Sequence, residues 1–86
     1  MENEMMIKVL LLSTNEYVIS QISEVYAELG DPNCKLTKPY KIVSGKLVPW
    51  MGDYTDQSEM MIHSDKILTL VDPNENYLKM YQELIK

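Results

Sequence analysis

A chain of 86 residues makes one domain at most. Its 45% hydrophobic and 24% charged content is globular in character. The net charge of −5 excludes generic basic attraction to nucleic acid. No apolar run approaches the roughly 20 residues that span a bilayer, and the single cysteine, Cys34, can make neither an internal disulfide nor a cysteine-cluster metal site.

The opening "MENEMMIKV" lacks the basic region of a signal peptide, so a cytoplasmic protein with no membrane partner is expected. One stretch breaks the acidic balance. Residues 32–52 carry four lysines and no acid, which leaves −9 on the remainder. A run of like charge is most often a solvated face; the sharper expectation is one positive surface on an otherwise acidic molecule.

In chain order, Met5 to Leu12 is apolar except for Lys8 and ends in Ser13-Thr14-Asn15-Glu16, the pattern of a strand running into a turn. Residues 14–30 admit two readings. Val18, Ile22, Val25 and Leu29 fall at helical spacing, Ser13 with Glu16 matches a capping box, and Gly30 suits a helix end. Yet Val18, Ile19, Ile22 and Val25 are β-branched and two tyrosines accompany them, as in strands.

Residues 33–43 read as extended, with Pro39 marking an edge or a bulge. Ser44-Gly45 forms a hairpin turn and "KLVPWM" returns, with Pro49 at an edge or strand end. A polar loop follows to Ser58. "EMMIHSDKILTLV" then supplies two short strands about a turn. At the far end, Asp72 as cap, Pro73 at the first helical position and Glu75 as capping-box partner start a helix over about 73–85. Tyr77, Leu78, Tyr81, Leu84 and Ile85 form its apolar stripe.

His63 is the chain's one histidine and lies two positions from Asp65. A hydrolytic dyad would also need a nucleophile and an oxyanion site, and no motif for one is present. One His and one Asp do not complete a zinc site. Ser-Asp-Lys between apolar arms is ordinary turn chemistry, so no catalytic residue, metal or cofactor is expected. Trp50, beside Pro49 and Met51, suits a core or a subunit interface better than ligand stacking.

Taken together, these segments resemble the Sm-like proteins, in particular small single-domain versions with a C-terminal helix from phage-type genomes. The resemblance covers about residues 6–86. "VLLLSTNEYVISQI" is similar to the first two strands, with Asn15 at the turn glycine and Ser20 at a second small-residue position. "KLTKPYKIVSGKLVPWM" is similar to the third strand, a hairpin and the fourth. "MMIHSDKILTLV" is similar to the second Sm motif, with His63-Ser64 in place of Arg-Gly.

The resemblance implies a mainly β fold: a small, bent, five-stranded antiparallel sheet or barrel with a C-terminal helix, as one domain over 1–86 with strands within about 5–71. The alternative is an α+β domain with a second helix at 14–30. The resemblance also implies a non-enzymatic subunit of a homo-oligomeric ring of about five to seven copies, joined strand four to strand five. Single-stranded RNA would bind at its pore through His63, Ser64 and Lys66. The family's third-loop Asp and Asn have no clean match, and Asp31 and Asn33 stand nearest to them. The alternative function is a structural or regulatory protein-interaction module of a phage or its host that binds no nucleic acid.

Overall fold

The computed structural model describes residues 6–86. The fold is mainly β. Its strands are β1 (Met6–Leu12), β2 (Tyr17–Glu24), β3 (Cys34–Val43), β4 (Lys46–Pro49), β5 (Glu59–Ile62) and β6 (Ile67–Val71), and one helix, α1 (Glu75–Leu84), follows. All pairings are antiparallel, in the order β4-β3-β2-β1-β6, and β5 also pairs with β3. The expected strand start at Met5 lies outside the described residues.

Residues 14–30 hold no helix. Asn15 takes a left-handed conformation (φ 69°) in a tight turn, and Leu12 N–H donates to the Glu16 carbonyl at 2.9 Å. Asn tolerates that conformation better than most residues. The capping-box acid serves the turn instead: Glu16 Oε1 accepts from the Thr14 hydroxyl at 2.7 Å. β2 then runs between β1 and β3 with Val18, Ile19, Ser20, Ile22 and Ser23 buried. A central strand covered on both faces rewards β-branched residues at either parity, which is why the helical spacing misleads.

One face of the sheet builds the core from Leu10, Leu12, Val18, Ile22, Cys34 and Leu36. Trp50, Ile62 of β5 and Ile67 of β6 pack against this cluster. β5 and β6 lie at opposite ends of the strand order, so the sheet must bend to bring them to one cluster. It does not close. The barrel form of the expectation becomes an open, bent sheet. Expected as five strands, it has six, because β3 is long enough for β4 and β5 to share its outer edge: β4 pairs with Tyr40–Val43 and β5 with Cys34–Thr37.

The changeover falls at Pro39, which cannot donate to a ladder. Opposite it the β2–β3 register shifts between Ile19 and Gln21, and Lys38 has φ 54°. The bulge expected from Pro39 is therefore present. Ser44 (φ 52°) and Gly45 (φ 78°) form the two-residue hairpin turn with both angles positive.

Helix α1 seats on this bulge. The Tyr81 hydroxyl accepts from Gln21 N–H at 3.0 Å and shares its proton between the carbonyls of Thr37 (3.0 Å) and Lys38 (2.8 Å). Its ring meets Tyr40 edge-on, centroids 5.9 Å apart. Asn74, not Asp72, caps the helix, with Oδ1 accepting from Tyr77 N–H at 3.0 Å. Asp72 instead pairs with Lys8 of β1 at 2.5 Å, and Pro73 precedes the cap rather than following it. Leu84 faces out at 48% exposure and leaves the apolar stripe. No helix among the described residues is long and apolar enough to cross a membrane.

Candidate functional site

The segment His63-Ser64-Asp65-Lys66 is a strap across the bent sheet. Ser64–Lys66 forms one 3-10 turn, closed by Lys66 N–H donating to the His63 carbonyl at 3.1 Å. At its start Asn33, the residue before β3, grips Ser64 twice. Asn33 Oδ1 accepts from Ser64 N–H at 2.9 Å, and Nδ2 donates to Ser64 Oγ at 3.1 Å. At its end the Lys66 carbonyl accepts from Ser13 N–H at 2.8 Å. The strap thus joins the β2–β3 loop to the β1–β2 turn and redirects the chain from the β3 edge to the β1 edge.

Of the five residues proposed for RNA, the fold brings Asn33 and Ser64 into direct contact and places His63 and Lys66 beside them. Ser64 and Lys66 are exposed and His63 is half-buried. Asp31 is not drawn in: its N–H donates to the Glu28 carbonyl at 2.9 Å within an exposed turn. His63 and Asp65 do not lie in one extended strand, because the turn separates them. No cluster of three or more metal-ligating side chains exists among the described residues.

Two of the four lysines of residues 32–52 are ion-paired, which weakens the expected positive surface: Lys35 lies 3.9 Å from Glu59 and Lys41 3.2 Å from Glu16, while Lys38 donates to the Ile85 carbonyl at 3.4 Å. These acids come from β5 and from the β1–β2 turn, far off in sequence, so no count of neighbouring charges reveals the neutralisation.

Beside Ser64 an open groove of about 510 Å³ is walled by Met6, Ile22, Cys34, Ile67 and Leu70. Burial pushes the Cys34 thiol up, and the Glu24 charge adds to the effect. A thiol held protonated is a poor nucleophile, so Cys34 contributes apolar packing to this groove.

The two outer margins of the sheet differ from its interior. β6 pairs only with β1, and β5 and β4 pair only with β3, so among the described strands each keeps one unpaired side. β6 is nearly bare: Leu68 is 59% exposed, Leu70 46% and Val71 47%. On β5, Met61 is 46% exposed. The apolar residues Leu68, Leu70 and Val71 are legible in the sequence; their exposure in the single chain is not.

Comparison with curated proteins gives no match. The model described as "Family of unknown function (DUF6561)" matches residues 5–86, and the chain belongs to that family.

Proposed function

We propose that this DUF6561 member is a non-enzymatic, Sm-like assembly subunit whose two free sheet margins join head to tail into a homo-oligomeric ring. One observation carries the reading: an open sheet with apolar residues exposed on a strand at each end. An exposed apolar edge invites pairing with another chain. The margins are different surfaces, so their contact is heterologous, and a heterologous contact closes into a ring when its rotation permits. Pairing β5 of one copy with β6 of the next continues the sheet and covers Leu68 and Leu70. About five to seven copies is the size the Sm-like resemblance implies.

Native mass spectrometry of the purified chain tests this. One closed species is expected for the wild type, and monomer for Leu68→Lys with Leu70→Lys, since edge lysines block pairing. A wild-type monomer at tens of micromolar would end the proposal.

A second reading adds single-stranded RNA at the strap, favoured by the Asn33–Ser64 junction beside His63 and Lys66. His63 offers a ring for stacking and Lys66 a charge for phosphate. Fluorescence anisotropy with a labelled oligouridine should then show binding that weakens in His63→Ala and Lys66→Ala. Equal affinity for wild type and both variants would remove the RNA role and leave a protein-only ring. The paired lysines favour that protein-only form.

A further inference from the structure

The turn after β4 is held in a costly conformation. Met51 has φ 64°, uncommon for a residue with a side chain. A Cβ on Gly52 would lie 2.9 Å from Pro49 Cβ, so only glycine fits there without displacement. Backbone bonds from Tyr54 N–H and Thr55 N–H to the Met51 carbonyl, 3.0 and 3.2 Å, fix the turn. Its effect is to set Trp50, Met51, Asp53 and Tyr54 around a cleft of about 490 Å³, completed by Glu16 and Lys41.

The chemistry of this cleft is aromatic and acidic. Tyr54 is 83% exposed and Met51 44%, while Trp50 is half-buried with one side on the core cluster. The Glu16 carboxylate is held below the usual carboxylate range, chiefly by the Thr14 hydroxyl, with Lys41 and Trp50 as further donors. Lys41 balances Glu16 and leaves Asp53 as the second acid. The loop continues acidic: residues 53–58, "DYTDQS", hold two acids and no base. Such a surface repels phosphate and attracts cations. Guanidinium groups stack on Trp and Tyr faces while pairing with carboxylates.

We propose that this cleft docks an arginine side chain of a basic segment on a partner protein, stacked against Trp50 and Tyr54 and paired with Asp53. The site is separate from the strap and from the β5 and β6 edges, and it does not depend on ring formation.

Trp50 is the only tryptophan, so its emission reports on the site directly. The full chain is titrated with a blocked hexa-arginine peptide, with hexaglutamate and oligouridine as comparison ligands. A saturable change in Trp50 emission is expected with hexa-arginine alone. Asp53→Asn with Tyr54→Ala should raise the apparent Kd at least about fivefold. Removing two acids elsewhere, Glu75→Gln with Glu83→Gln, should change it less than about twofold. All of these side chains are exposed, so the variants keep the fold, which circular dichroism checks. No emission change with hexa-arginine overturns the proposal. So does an equal loss in both double variants, which would mean attraction to net charge alone. So does a response to oligouridine in place of hexa-arginine.

Discussion

Tyr81 shows how much one hydroxyl can carry. It is fully buried, and it satisfies Gln21 N–H and two β3 carbonyls where the β2–β3 ladder is interrupted. Tyr81→Phe keeps the ring contact with Tyr40 but strands those backbone groups. The expected loss is about 1–3 kcal/mol, read from urea unfolding. Burial, the leading cause, pushes the phenol up from 10.0 to about 12. The unfolded chain therefore releases this proton before the folded one does. The Tyr81 contribution should be complete below pH 10 and decline as pH rises toward 12. The stability gap between wild type and Tyr81→Phe should close over that window. A gap that stays constant would mean the hydroxyl is not the bonded group. The sequence marks Tyr81 as apolar-face material, but not as the helix's polar anchor. Its partners are backbone atoms at a bulge, and backbone partners leave no residue-type signature.

At the scale of elements, legibility follows how local the cause is. The Ser44-Gly45 turn, the Asn15 turn, the end of β4 at Pro49 and the C-terminal helix rest on neighbouring residues, and each is readable from the sequence. β2 rests on strands on both sides, and its periodicity points toward a helix. The helix start divides between the two cases. A cap is evident in Asp72-Pro73-Asn74, but its position shifts by two residues because Lys8 draws Asp72 to β1. The acid and the amide here should therefore differ in effect. Asn74→Ala removes the cap bond to Tyr77 N–H and should cost about 1 kcal/mol in thermal or urea unfolding. Asp72→Asn removes a pair whose carboxylate is 81% exposed, and should cost less than about 1 kcal/mol. The reverse order would mean Asp72 is the true cap. Within the candidate site, the strap at 63–66 reads as a turn from its residues, whereas its grip by Asn33 and the acid partners of Lys35 and Lys41 come from remote strands.

For the whole molecule, the bent sheet buries its main core cluster but leaves its margins uncovered. An 86-residue domain buries a modest share of its surface and gains from association. If the ring is the working form, folding and assembly are linked, and the thermal midpoint of the wild type should rise with protein concentration. Leu68→Lys with Leu70→Lys should melt at one temperature across the same series. A concentration-independent midpoint in the wild type would count against assembly through these edges.

The placement of β6 also sets an order of events during synthesis. β1 has β2 available within a few residues, but its other neighbour arrives only when Val71 comes to lie against Val9. The Tyr81 latch onto Gln21 comes later still, 60 residues away in sequence. Pairings this distant in sequence form slowly. While the ribosome is still extending the chain, the hairpins of β1 through β4 can form from the emerged segment, but the outer side of β1 stays open. Until then the nascent sheet lacks only β6 and its clasp, and its exposure to mispairing with other nascent chains ends only as these emerge.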